Sequence, residues 1–311
     1  MSETRGIPVL CIVGATATGK TAAAIAIAES LNGEIIGADS VQVYRGVDIG
    51  SGKPSHESLR GIAHHLIDVV EPDEAIDAAR FAQLADAAIA DVHARGKLPI
   101  VVGGTGLWVR ALMRGLVDVP EVDANVRSAL EQRWDAEGSA AMHAYLQRVD
   151  PIAAERIHPN DKLRVVRALE VYEQTGHPMG SLRAEHALGA QRYRALTYWL
   201  QLPAVHLHER QRQRIAEMLA TGWVDETRRL LERFGPTIRA LSAVGYRQIV
   251  EHLTLGTSPE DMRTQIERAT RIYARRQTTW LKGDRDVTET LTADALLDRQ
   301  RLDRMRRHLE G

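Results

Sequence analysis

The chain has 311 residues, 44% of them hydrophobic and 26% charged, which suits a folded soluble protein of one large domain or two. A formal net charge of −1 gives no global polyanion-binding signal, and a single cysteine, Cys11, excludes an internal disulfide framework and a multi-cysteine zinc site. No apolar run approaches the roughly 18 residues that span a membrane, and the polar start, Met1 to Pro8, lacks a secretory-signal architecture, so the cytoplasm is the expected compartment.

The first predicted strand, 8–13, runs into Gly14-Ala15-Thr16-Ala17-Thr18-Gly19-Lys20-Thr21, a complete G-x-x-x-x-G-K-[ST] phosphate-binding loop, and then into a helix over 20–31. Strand, glycine loop and helix in this order make a site of the pattern. Backbone N–H groups from Gly14 to Lys20 can ring a phosphate, and the Lys20 ammonium and the helix dipole add positive potential. Thr21 offers a hydroxyl for Mg²⁺. The chain is therefore expected to grip a di- or triphosphate.

A second strand, 34–38, ends in Asp39-Ser40-Val41-Gln42. Strand C-termini face the ligand crevice of a parallel sheet, so Asp39 should lie near the phosphate site. It can serve as a metal ligand or as a general base, and spacing does not choose between them. Gln42 offers an amide to a base edge, and Arg45 a cation to a phosphate.

A third strand is predicted over 65–70, where adjacent His64 and His65 cannot face one way and make a poor metal pair. A helix over 78–95 follows, with Phe81, Leu84, Ala88 and Val92 at helical spacing. Strand 98–102 ends in Gly103-Gly104-Thr105-Gly106, without the carboxylate that a nucleotide hydrolase or kinase usually has at that point. The phosphate is thus expected not to be that of ATP. Thr105 should point into the crevice shared by Lys20 and Asp39. A helix over 106–114 completes the β/α alternation. The expected fold is α/β, a P-loop NTPase-like parallel sheet core.

The character changes near 117–120. Helices over 123–137, 139–148, 151–157, 161–175 and 178–187 are expected to form a helical insertion domain over 120–194. His158-Pro159-Asn160-Asp161 reads there as a turn and helix cap. A strand over 195–202 rejoins the core of 1–119 and 195–311, and helices over 205–221, 222–234, 245–254 and 258–282 follow. Leu241 to Gln248 is a small-residue turn entering a helix, with Tyr246 as a candidate stacking residue and Arg247 as a cation. Lys and Arg outnumber Asp and Glu by seven to four over 156–194 and by seven to two over 263–285. Two such stretches beside a phosphate-binding core point to local basic surface for nucleic acid.

Taken together these segments resemble the tRNA dimethylallyltransferase family, also called tRNA isopentenyltransferases, in order and over essentially the whole chain. The resemblance rests on Gly14–Thr21, Asp39–Gly50, Lys53-Pro54, His64–Asp68, Val102–Leu107, His158–Asp161, Arg167–Val171, Ala243–Gln248 and Arg276–Trp280. It implies transfer of a dimethylallyl group from dimethylallyl diphosphate to N6 of adenosine-37 of tRNA, with Mg²⁺ as cofactor and Thr21 as its protein ligand. The diphosphate would be a leaving group held by Gly14, Ala15, Thr16, Ala17, Thr18, Gly19, Lys20 and Thr21. Asp39 matches the family's general base, Thr105 its active-site threonine, and Lys20 would stabilise the leaving diphosphate. The tRNA-contacting segments map to Asp39, Ser40, Val41, Gln42, Thr105, Arg127, Leu163, Arg164, Val165, Val166, Arg167, Ala243, Val244, Gly245, Tyr246, Arg247 and Gln248. The partner implied is the anticodon stem-loop, and the oligomeric state a monomer. Four positions depart from the common pattern: Ala15 replaces a proline, Ser51-Gly52 a Thr-Ala pair, and Trp108 a Tyr or Phe, which bears on how the prenyl tail fits. The competing readings are an adenylate dimethylallyltransferase acting on free AMP, ADP or ATP, a P-loop small-molecule kinase, and a non-catalytic tRNA-binding protein.

Overall fold

The structure, a computed structural model, describes residues 6–55, 57–116, 119, 123–186 and 191–310, without the side chains of 183–186, 309 and 310. The chain divides into two compact units, Met1–Met113 with Gln191–Gly311, and Arg114–Ala190.

The first unit begins β1 (Pro8–Gly14), α1 (Lys20–Leu31), β2 (Gly33–Ala38), β3 (His64–His65), α2 (Ala78–Ala94), β4 (Leu98–Gly103) and α3 (Gly106–Arg114). The second holds α4 (Ala124–Val149), α5 (Pro151–Arg156), α6 (Lys162–Thr175) and α7 (Met179–His186). The first resumes with β5 (Arg194–Leu200), α8 (Ala204–Ala220), α9 (Trp223–Phe234), a 3₁₀ turn (Arg239–Ser242), α10 (Tyr246–Leu255) and α11 (Pro259–Lys282). It closes with β6 (Glu289–Leu291), α12 (Ala293–Leu296) and α13 (Arg299–Glu310).

The six strands form one parallel sheet in the order β3-β2-β4-β1-β5-β6. Alternation along β1 sorts its side chains into two cores: Val9, Cys11 and Val13 on one face, Leu10 and Ile12 on the other. Phe81, Ala82, Ala85 and Ile89 of α2 cover the first face, and Ala23, Ala24, Ile27 and Ala28 of α1 the second. Burial on both faces is why the central strands read as continuous apolar runs. Asp77 starts α2 by accepting from Ala79 N (3.0 Å) and Arg80 N (2.8 Å). In the second unit, Leu130, Met142, Leu146, Val165 and Leu169 build a separate helical core. Among the described residues no helix is long and apolar enough to cross a membrane.

One expectation needs correction, and three elements were not foreseen. The strand predicted over 65–70 shrinks to His64–His65. Leu66 (φ 63°) and Asp68 (φ 56°) adopt left-handed backbone, which breaks the strand. The segment instead bonds back to the loop after β2, through Asp68 N to Gln42 O (3.3 Å) and Arg45 N to Val70 O (2.9 Å). The two helices expected over 123–137 and 139–148 meet at Gly138, whose backbone (φ 83°, ψ 166°) is not helical, within the span α4. β6, α12 and α13 have no counterpart among the predicted elements.

Candidate active site

Register places the key loops side by side. Ala38 of β2 and Val13 of β1 both pair with Gly103 of β4. The residues that follow, Asp39, the Gly14–Gly19 loop and Gly104-Thr105, therefore emerge at one sheet edge, at the carboxyl ends of the strands. They line a cavity of about 480 Å³ within the first unit.

The phosphate loop turns inward on itself. The Ala15 carbonyl accepts from Lys20 Nζ (2.7 Å) and Thr18 Oγ1 (2.9 Å). Ala15 and Thr18 are buried, whereas Thr16, Ala17, Lys20 and Thr21 face the cavity. Burial pulls the Lys20 ammonium down to about 8, against the Asp39 carboxylate, which raises it. Asp39 Oδ1 accepts from Val41 N (2.9 Å) and Gln42 N (3.4 Å), which fixes the carboxylate plane and leaves Oδ2 clear of these two bonds. Thr105 Oγ1 accepts from Ser40 N (3.1 Å), tying the loop after β4 to the loop after β2.

α8 and α11 complete the site with residues to which the sequence reading assigned no role. Gln277 Oε1 accepts from Thr16 N (3.0 Å) and its Nε2 donates to Gly104 O (3.0 Å), so one amide clamps two loops. Gly104 is required for this approach, because a Cβ there would collide with Gln277 Nε2. Tyr273, one turn earlier, lines the cavity with Thr105 and Gln277, and burial pushes its phenol up to about 12, with Asp39 adding to the shift. Arg214 on α8 also faces the cavity; burial lowers its pKa and Asp39 opposes that. The cavity side of α8 carries Gln211, Arg214, Ile215 and Met218, and that of α11 Thr270, Tyr273 and Gln277. Those i, i+3, i+4, i+7 stripes are the sequence signal that could have found them.

The remaining walls are largely apolar, including Ile67, Ile76, Leu107, Trp108 and Trp223. Trp108 is fixed by stacking on Phe81, with centroids 4.4 Å apart and planes at 19°. Trp223 presses on the left-handed Gly245 (φ 92°), where a side chain would strike the indole. Four buried polar atoms that find no partner among the described residues, Tyr44 Oη, His64 Nε2, Gln211 Oε1 and Trp223 Nε1, belong to residues lining this cavity. Buried polar atoms without partners are uncommon, and a ligand can satisfy them.

Several predicted contact residues sit elsewhere or are already engaged. Tyr246 is fully buried and donates to Glu226 (2.5 Å), so its ring is no stacking platform. Glu226 also accepts from Asp48 N (3.0 Å), Ile49 N (2.7 Å) and Gly50 N (3.2 Å), anchoring the loop beyond Gln42. Gln42 Nε2 is taken by Ser51 O (3.1 Å) and Gly52 O (3.2 Å), and Arg45 pairs with Glu71 (3.4 Å). Gln248 Oε1 accepts from Gly245 N (2.8 Å). Ala243 and Val244 line the cavity, while Arg247 is exposed and pairs with Glu251. In the second unit, Val165 and Val166 are core residues, which removes their side chains from any surface contact. Leu163 is 74% exposed and Arg164 is exposed, whereas Arg127 and Arg167 are part-buried against Glu170. Asp161 caps α6 by accepting from Arg164 N (3.2 Å), as its position before the helix suggested. His65 Nε2 bonds Glu34 (2.7 Å), and His64 Nδ1 bonds Ile62 O (2.9 Å).

Fold and site thus define an α/β protein with a P-loop NTPase-like core, in which a loop of phosphate-binding pattern lies beside a carboxylate and apolar side chains. The IPP transferase family model matches residues 42–284. A tRNA dimethylallyltransferase of Sorangium cellulosum is 48% identical over 273 residues, covering 88% of this chain and 87% of its own. The crystal structure of a tRNA isopentenylpyrophosphate transferase from Bacillus halodurans superposes with a TM-score of 0.70 at 35% identity, covering 97% of each chain. That of a eukaryotic dimethylallyltransferase acting on tRNA superposes at 0.79 and 29% identity, covering 96% of this chain and 77% of its own. The chain belongs to the IPP transferase family.

Proposed function

We propose that the chain transfers the dimethylallyl group of dimethylallyl diphosphate to N6 of adenosine-37 of tRNA and releases diphosphate. One observation carries this reading: the phosphate loop and Asp39 open, from the strands on either side of β4, onto one cavity whose remaining walls are largely apolar. A γ-phosphoryl transferase has no need of such walls, whereas a five-carbon allylic group does.

The allylic C–O bond breaks with its electron pair going to the diphosphate, and the N6 lone pair forms the new C–N bond. The N–H groups of the Gly14 to Lys20 loop, other than that of Thr16, which Gln277 holds, stabilise with Lys20 and Arg214 the charge that builds on the departing diphosphate. Asp39 takes the N6 proton as the bond forms, because an exocyclic amine is a poor nucleophile until it begins to lose that proton. Thr105 and Tyr273 hold the carboxylate's surroundings and bar water. Adenosine-37 leaves its stack to reach this depth. The hydroxyl of Thr21 and the carboxylate of Asp39 are hard oxygen donors that fit Mg²⁺. When bound, Mg²⁺ neutralises charge on the leaving group.

Exposed cations grip the anticodon stem-loop backbone, among them Arg164 and Arg247 with the part-buried Arg127 and Arg167. The protein acts in the cytoplasm as a monomer. The test is transfer of label from dimethylallyl diphosphate, with Mg²⁺, to a tRNA carrying adenosine at position 37 and to the same tRNA carrying guanosine there. Label in the first alone is expected; equal label in both contradicts the assignment.

A further inference from the structure

We infer that Glu170, which touches neither cavity nor solvent, is a positioning residue for tRNA: it holds Arg127 and Arg167 as one two-pronged phosphate clamp. This rests on the reading above that both arginines meet the tRNA backbone. Glu170 is fully buried in α6. Its Oε2 accepts from Arg127 Nε (3.1 Å) and Nη2 (2.7 Å), and its Oε1 from Arg167 Nη1 (2.6 Å). The arginines are not buried with it: their side chains are 31% and 23% exposed. One carboxylate thus fixes two guanidiniums from two helices.

Stability is a poor explanation for the arrangement. A carboxylate without solvent carries a desolvation penalty that its partners roughly offset, so the trio as a whole adds little over apolar residues of similar volume. Arg127 also lies close to the N-terminus of α4, just behind the cap that Asp123 makes to Asn125 N (2.8 Å), where the helix dipole disfavours a cation. What the carboxylate gives is orientation. A guanidinium has five N–H groups in a rigid fork, and Glu170 takes two of Arg127's. Held along that edge, the fork has a fixed direction for a phosphate, and the rotamer entropy of a long side chain is lost before binding rather than during it.

The test is steady-state dimethylallyl transfer with varied tRNA for Glu170→Gln, Arg127→Ala, Arg167→Ala and the double variant Glu170→Gln/Arg127→Ala. Glu170→Gln keeps shape and one acceptor but loses the charge that orients both forks. We expect KM for tRNA to rise about tenfold, the scale of one well-placed charge-assisted contact, with kcat at saturating tRNA within about twofold. The double variant should be no worse than the poorer single. Should Glu170→Gln fold badly, Glu170→Leu fills the space without needing a partner, and the same rise in KM is expected. An unchanged or lower KM in the Glu170 variants, with KM raised in the arginine variants, overturns the positioning role alone. No change of KM in the arginine variants overturns the tRNA-contact reading and the inference with it.

Discussion

Asp39→Asn separates the two roles open to that carboxylate. The substitution keeps Oδ1, so the bonds from Val41 N (2.9 Å) and Gln42 N (3.4 Å) survive and the loop should not move. It removes the proton acceptor. A positioned base contributes about 10²–10⁴ in rate, which is about 3–5 kcal/mol of barrier. It also removes a negative charge from a site built for an anion, next to Lys20 and Arg214, both of which sense it. Dimethylallyl diphosphate should therefore bind as well or slightly better. The assay is single-turnover transfer to tRNA over a range of donor and Mg²⁺ concentrations. A rate lowered by at least 10², with donor affinity and Mg²⁺ dependence unchanged, fits the base. A rate within tenfold of wild type refutes it. A variant rescued by excess Mg²⁺ would make Asp39 chiefly a metal ligand.

Because Lys20 is pulled down to about 8 by burial, the free enzyme loses that charge as pH rises past 8, and kcat/KM for dimethylallyl diphosphate should fall there. In Asp39→Asn the midpoint of this fall should move lower, since the carboxylate is what raises Lys20; a midpoint that stays put or moves up excludes Lys20 as its source. Gln277→Leu leaves Thr16 N and Gly104 O without their partner, so it should cost about 2–4 kcal/mol in a denaturant melt and raise donor KM at least tenfold. Unchanged donor KM would mean the clamp is not needed to shape the loop. Glu226→Gln turns one acceptor towards N–H groups as a donor; a loss of about 2–4 kcal/mol by the same melt is expected, and a loss below about 0.5 kcal/mol would deny the loop anchor.

The parts legible in the sequence are those fixed by near neighbours. β1, the phosphate loop and α1 are contiguous, and Asp39 directly follows β2, so strand-end logic placed it beside the loop. Other features depend on distant pairing. Gln277 meets Thr16 across 261 positions, and its helix reads as one more basic, solvated stretch. Arg214 lies in a helix rich in exposed charge, visible only as one member of a spaced stripe. Tyr246 looked like a base-stacking residue because aromatic and arginine adjoin; its hydroxyl instead serves Glu226, from another helix. The run after His65 looked like a strand because it is apolar, but the partner it needs is the 42–45 loop rather than a sheet edge. α13 escaped because its buried contribution is little more than Met305 and Leu302 among many arginines.

The central claim is that this cavity joins a prenyl diphosphate to an adenosine presented by tRNA. The most direct measurement is single-turnover transfer from radiolabelled dimethylallyl diphosphate, with Mg²⁺, when unmodified tRNA and free AMP compete as acceptors. Label in tRNA and none in AMP is the predicted result. Label in AMP alone, or in neither, would contradict it.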